Sequence, residues 1–81
     1  MVAVGYTIDG YRKEFECSDG RLSCHSKDLV SLEVPEGVTF VICYNNKLSK
    51  LILPDSVTML CCDKGVSGLE EFIDKVNIDL W

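Results

Sequence analysis

The chain lacks any hydrophobic run that approaches the roughly 20 residues needed to span a membrane. Its first residues, MVAVGY, also lack the charged segment and the apolar segment of a secretory signal peptide. The sequence therefore predicts a protein that makes no membrane contact and works in the cytoplasm.

Positive charge is scarce as well. Eight lysine and arginine residues stand against 13 aspartate and glutamate residues, which gives a formal net charge of −5. Nucleic-acid binding requires a cluster of basic side chains facing the phosphates, and the sequence contains no dominant cluster. Nucleic acid is therefore not an expected partner. The 47% hydrophobic content of these 81 residues nevertheless predicts a small folded domain.

The five cysteines include no Cys-x-x-Cys pair. An odd number of cysteines without a secretory context argues against a disulfide framework. Cys24, Cys43 and Cys62 follow one another at intervals of 19 residues, so they occupy one position of a repeated unit. We expect them to form a buried column of reduced thiols, because a free cysteine packs as a small apolar side chain.

The same interval of 19 residues relates much of the chain to itself. It pairs similar residues: Leu29 with Leu48, Leu32 with Leu51, Val34 with Leu53, Pro35 with Pro54, Val38 with Val57, and Val41 with Leu60. A fixed period of this kind is typical of a solenoid, in which each coil buries its apolar side chains against the next. We expect three coils over residues 19–66, with parallel strands at 22–24, 41–43 and 60–62. The prolines predict return segments that are extended and unpaired.

Residues 1–18 are predicted to cap the first coil. Two runs of alternating apolar and polar residues flank Asp9-Gly10, which indicates a β-hairpin closed by a type I′ turn. A degenerate first coil is the alternative, because the 19-residue interval also aligns this segment with the coil that follows it.

Residues 67–81 are predicted to cap the last coil with a helix. Ser67 and Glu70 fit a helix capping box. The apolar residues that follow have helical spacing: Leu69, Phe72, Ile73 and Val76. We expect a short amphipathic helix from about residue 67 to residue 76 that folds over the open edge.

Two segments carry a resemblance to a known family. Residues 32–38, LEVPEGV, and residues 51–57, LILPDSV, each precede a valine or leucine and a cysteine, and residues 38–48 fit L-x-x-L-x-L-x-x-N-x-L. They resemble leucine-rich repeats, in particular the short-period repeats of bacterial effectors. The resemblance implies an α/β solenoid, a right-handed coil with a short parallel sheet and a concave face that binds a protein. It also implies that Asn46 binds backbone groups of its turn.

Strand alternation assigns the side chains of this concave face, because the neighbours of inward residues point outward. Aromatic and apolar residues are expected at its centre and polar ones at its border: Phe40, Ile42, Tyr44, Met59 and Cys61, bordered by Arg21, His25 and Asp63. Aromatic residues, methionine and arginine are enriched in protein interfaces. The sequence therefore predicts a non-enzymatic protein that binds another protein, or a second copy of itself, through these residues.

Three other interpretations remain open. A terminal segment could cover the outward residues and make them part of the core. The chain could be a small enzyme or metal protein that uses Cys61 and His25, although ligands in one column do not converge tetrahedrally and no oxyanion-stabilising loop is apparent. It could also be a purely structural unit of a larger repeat array. No cofactor is expected.

Overall fold

The computed structural model describes residues 1–66 and 69–80. Within them the chain forms eight strands and one short 3-10 helix: β1 (Val2–Thr7), β2 (Arg12–Glu16), β3 (Arg21–Ser23), β4 (Leu29–Glu33), β5 (Phe40–Ile42), β6 (Lys50–Ile52), β7 (Met59–Cys62), the 3-10 helix Leu69–Glu71, and β8 (Asn77–Leu80). The strands build a β-solenoid of about three turns. In this part of the chain, no helix has the length and apolarity needed to cross a membrane.

The described strands lie in two sheets. The first sheet has the order β2-β1-β4-β6, and the second has the order β3-β5-β7-β8. All pairings in the second sheet are parallel, and its first three strands align Leu22, Val41 and Leu60. These strands match the segments predicted from the sequence to within two residues at each end. The 19-residue interval is therefore confirmed as the offset between them.

The return segments differ from the prediction that they are unpaired. β4 and β6 form a parallel pair in which Leu32 lies beside Leu51. The pairing continues to the N–H group of Val34, which donates to the carbonyl of Ile52 at 3.0 Å. Pro35 follows directly and has no N–H group to donate, so the pairing stops there. The prolines therefore end the pairing of these strands but do not prevent the strands from forming.

The cysteine column is confirmed. Cys24, Cys43 and Cys62 are free thiols with 0% exposure, and they lie in the core between the two sheets. Burial raises the pKa of Cys24 to about 12 and the pKa of Cys62 to about 11, and it raises the pKa of Cys43 as well. All three are therefore neutral thiols at neutral pH.

The N-terminal hairpin is confirmed, but its turn is of a different type. β1 and β2 pair in antiparallel fashion, and β1 also pairs in antiparallel fashion with β4. The N–H group of Thr7 donates to the carbonyl of Tyr11, and that of Gly10 donates to the carbonyl of Thr7, both at 2.9 Å. Gly10 has a φ of 86°, whereas Asp9 is not among the residues with positive φ. This is a three-residue loop with a glycine bulge, not a two-residue type I′ turn.

The prediction of a C-terminal helix cap is wrong, and so is the prediction of an α/β class. Helix accounts for 4% of the residues that the structure describes. The N–H groups of Phe72 and Lys75 bond carbonyls three residues earlier, each at 2.9 Å, and the chain then enters β8, which pairs with β7. An isolated helix of this length is marginal, whereas a strand supplies backbone partners to the edge of β7. Ser67, proposed as the helix N-cap, lies outside the described residues.

Candidate functional site

The outward side of the second sheet, called the outer face below, carries two rows of side chains across its strands. One row consists of Arg21, Phe40, Met59 and Asn77, and the other consists of Ser23, Ile42, Cys61 and Asp79. The residues between the rows, such as Val41 and Leu60, are fully buried in the core. Because neighbouring strand residues point to opposite sides, the rows face away from the core, as the sequence predicts.

Arg21 and Phe40 form a defined pair on this face. The guanidinium carbon of Arg21 lies 5.2 Å from the centroid of the Phe40 ring. A cation held over an aromatic ring at an exposed site contributes about 0.5–1 kcal/mol. Phe40 and its neighbour Met59 are both half-buried, so each keeps part of its apolar surface available.

His25 and Tyr44 form a second pair on the turns that follow β3 and β5. Their rings are stacked, with centroids 4.9 Å apart and an angle of 11° between the planes. The Nδ1 atom of His25 also lies 3.4 Å from the hydroxyl of Ser26. The two rings therefore pack face to face as an ordered pair at the border of the outer face.

Asn46 fixes the turns that carry these rings. Its Oδ1 atom accepts the N–H groups of Lys27 and Leu29, at 2.9 and 3.0 Å. Its Nδ2 atom donates to the carbonyls of Cys24, Cys43 and Tyr44, at 3.0, 3.1 and 3.3 Å. One amide thus satisfies backbone groups of two successive coils. This is the role that the resemblance to leucine-rich repeats implies for it.

Asp63, predicted at the border of this face, also has a structural role that the sequence did not predict. Its two carboxylate oxygens accept the N–H groups of Asn45 and Asn46, at 2.7 and 2.9 Å. The carboxylate of Asp63 therefore accepts backbone N–H groups of the second turn, as the Oδ1 atom of Asn46 accepts those of the first turn. The repeat could not reveal this, because the 19-residue interval aligns Asn46 with Gly65.

Cys61 is also less accessible than predicted. It points outward in the strand register, but its exposure is 8%. The reason is β8, which places Asp79 beside Cys61 where the sequence predicted the open edge of the last coil. Cys61 therefore contributes little surface to the outer face.

The structure does not bring Cys61 and His25 together. His25 follows β3, Cys61 lies on β7, and β5 runs between these two strands. Two strand spacings amount to about 9.6 Å, which exceeds the reach of a hydrogen bond between a thiol and its base. Among the residues that the structure describes, no group of three His, Cys, Asp or Glu side chains is placed to hold a metal ion.

A second apolar surface lies on the outward side of the first sheet, and sequence reasoning missed it. Val2, Tyr6 and Ile52 are exposed there, and Val4 is half-buried between them. A shallow cavity of about 100 Å³ lies on this side. The alternation in residues 1–8 was a signal for it, but only the pairing of β1 with β4 reveals that the two segments share one sheet.

No protein-family model, no curated protein and no solved structure matches this chain. The geometry of the outer face is therefore what supports a functional proposal.

Proposed function

We propose that this chain is a protein-interaction module that acts by binding and not by catalysis. Its working surface is the outer face, and its partner is another protein or a second copy of the chain. The observation that carries the proposal is the contiguous half-buried group of Phe40, Ile42 and Met59 on two neighbouring strands. Arg21 and the stacked pair of His25 and Tyr44 border this group.

Two properties of the outer face support a binding role. Its residue types are those enriched at the energetic centre of interfaces, where aromatic and arginine side chains contribute most. Its border residues are also held in place by the pair of Arg21 and Phe40 and by the hydrogen bonds of Asn46. Side chains that are ordered before binding lose less conformational entropy when a partner arrives. A partner that buries about 600–800 Å² on each side would cover most of so small a face.

We further propose that the solenoid is a short-period leucine-rich-repeat protein of the cytoplasm. The 19-residue offset and the hydrogen bonds of Asn46 support the family assignment. The five cysteines are all free thiols, and a reducing compartment keeps thiols in that form.

The first experiment asks whether the partner is a second copy. Light scattering over a series of concentrations gives the solution mass of the wild type and of Phe40→Glu. A dimer that Phe40→Glu converts to a monomer identifies the outer face as a self-interface. A monomer in both cases directs the search to a different protein.

The second experiment measures a different partner once affinity capture with the wild type has identified it. With both proteins purified, Phe40→Ala and Tyr44→Ala should each weaken binding by about 2 kcal/mol, or about 30-fold. Ile52→Ala is the matched control, because this side chain is exposed on the outward side of the first sheet. If the outer-face variants fold and bind like the wild type, this face is not the working surface. If they unfold, the two side chains belong to the core.

A further inference from the structure

The outer edge of β8 carries no further strand among the described residues, since β8 ends the order of the second sheet. The N–H group of Asn77 donates to the carbonyl of Thr58 at 2.9 Å, so the backbone groups of Asn77 face β7. Backbone groups alternate in direction along a strand, and those of Ile78 and Leu80 therefore point away from β7. This edge offers hydrogen-bond donors and acceptors to an added strand.

The hydrophobic core is open beside the same edge. Ile78 and Leu80 continue the inward columns of Leu60 and Cys62. Leu60 and Cys62 have 0% exposure, whereas Leu80 is 46% exposed. A groove of about 470 Å³ lies here, lined mainly by apolar side chains: Leu69, Ile73, Val76, Ile78 and Leu80, with Glu70 and Asn77. A strand added to β8 would place alternate side chains over this groove, and apolar ones would complete the core.

The surroundings of the groove are acidic. Residues 69–80 contain four acidic side chains and one lysine, all exposed: Glu70, Glu71, Asp74, Asp79 and Lys75. Glu70 lines the groove itself, and Asp79 faces outward from the edge strand. Opposite charges on neighbouring strands stabilise their pairing, and like charges oppose it. The side chains of an added strand that do not enter the groove should therefore be basic.

We propose that the edge of β8 binds an extended segment of a partner protein as a fifth strand of the second sheet. In this segment apolar residues alternate with lysine or arginine. Its backbone bonds the groups of Ile78 and Leu80, its apolar side chains fill the groove, and its basic side chains meet Asp79 on the opposite side of the sheet. Strand addition of this kind takes affinity from main-chain hydrogen bonds and specificity from alternate side chains. The site is the edge of β8 and shares only Asp79 with the outer face, so it does not depend on the group of Phe40, Ile42 and Met59 that carries the proposed function.

A second copy of the chain fits this edge less well. Its β8 would bring the same acidic side chains into contact with those of the first copy. Its β3 carries Arg21, but the neighbouring inward residue, Leu22, is 1% exposed and already packed in its own core. A basic segment from another protein meets neither obstacle.

The test uses the full chain and a labelled eight-residue peptide in which valine and lysine alternate, with binding followed by fluorescence anisotropy. Two further peptides are compared with it, one with the valines and lysines in separate blocks and one with glutamate in place of lysine. We expect saturable binding of the alternating peptide alone, with slower hydrogen exchange at the amides of Ile78 and Leu80. Equal binding of the block peptide, or no binding of the alternating one at millimolar concentration, would overturn the proposal.

Variants locate the site. Asp79→Lys should weaken binding of the alternating peptide about tenfold or more, because a cross-strand attraction becomes a repulsion. Glu36→Lys makes the same charge change at an exposed loop residue away from the edge and should have a much smaller effect. Ile78→Pro removes one N–H donor on the open side and should also abolish binding. Equal losses for Asp79→Lys and Glu36→Lys, or a wild-type dimer that Asp79→Lys dissociates, would contradict the proposal. The first result would indicate general charge attraction, and the second would make a second copy the occupant.

Discussion

At its N-terminal end the solenoid is closed by an antiparallel hairpin, whereas β8, the last strand that the structure describes, is parallel to its neighbour. The hairpin packs closely on the first coil: an added Cβ atom at Gly5 would lie 2.9 Å from the Cδ2 atom of Leu29. At the other end, Ile73 is 67% exposed and Leu80 is 46% exposed. A parallel strand that continues the repeat moves the open edge one coil further along. A strand that reverses direction ends the repeat.

The outer edges of the two sheets also differ in chemistry. β2 forms the edge at the hairpin, and its side chains are mostly charged, with Arg12 and Glu14 bonded at 2.6 Å. β8 forms the edge at the other end and carries Ile78 and Leu80. Charged edge strands discourage pairing with other chains, and apolar ones permit it. The contrast predicts that the N-terminal end stabilises the protein and that the C-terminal end is available to a partner.

Deleting one end at a time tests this contrast, and we expect it to change stability more than any other variant. Removal of residues 1–17 uncovers Leu29 and Leu32, which are almost completely buried, and should abolish cooperative folding. Removal of residues 77–81 takes away the partly exposed side chains of Ile78 and Leu80 and should lower the free energy of unfolding by about 2–3 kcal/mol. Urea unfolding followed by circular dichroism measures both. A truncation at residue 77 that is as damaging as loss of the hairpin would show that the two ends are equally structural.

The junctions between coils should differ as well. Asn46→Ala removes five hydrogen bonds, three of them to the first coil and two within the second, and we expect a loss of about 3 kcal/mol in the free energy of unfolding. Asp63→Ala removes two, one of them to an exposed N–H group, and should lower it by about 1–2 kcal/mol. Urea midpoints of the two variants give the comparison. A larger loss for Asp63→Ala would place the stronger junction in the C-terminal half.

Thiol labelling at pH 8 compares the two ends of the solenoid through the first and last cysteines of the buried column, Cys24 and Cys62. The thiolate is the reactive form, and the pKa of Cys62 is raised to about 11 while that of Cys24 is raised to about 12. A lower pKa leaves more thiolate, so Cys62 should react faster than Cys24, and both rates should rise with pH. Peptide mass spectrometry after partial labelling measures the rates.

Local opening at the C-terminal end should increase the difference between these two thiols. Cys17 and Cys61, each with 8% exposure, are expected to react before the three cysteines of the column. Equal rates for Cys24 and Cys62 would mean that the open end is no more dynamic than the closed one.

The sequence predicted the first three strands of the second sheet well because their signal repeats. Apolar residues and cysteines recur every 19 positions, and stacking each coil on the next converts that interval directly into strand register. In the first sheet the hairpin of β1 and β2 was predicted, but β4 and β6 were missed because the return segments follow a Leu-x-x-Leu spacing, which is not the alternation of a strand. Their pairing depends on the neighbouring coil and on β1, which a local pattern does not show.

The candidate face was predicted in part for the same reason. Phe40, Ile42 and Met59 follow from the register of the strands, and their role in binding remains a prediction. The predicted accessibility of Cys61 was wrong because it depends on β8, and the sequence indicated a helix at this end of the chain. The hydrogen bonds of Asp63 were not predicted because they cross from one coil to another at an interval of 17 or 18 residues, outside the repeat.

The smallest expected effect distinguishes the observed C-terminal end from the helix that the sequence favoured. In an amphipathic helix Ile73 would face the core with Leu69 and Val76, and Ile73→Ser would then lower the free energy of unfolding by about 2 kcal/mol or more. In the structure Ile73 is 67% exposed, so the same change should alter it by less than about 0.5 kcal/mol. Val76→Ala is the matched control, because Val76 is buried and its truncation should cost about 1–3 kcal/mol. Similar losses for both variants in urea unfolding would mean that this segment closes over the core. The C-terminal end would then be a cap, as the N-terminal hairpin is.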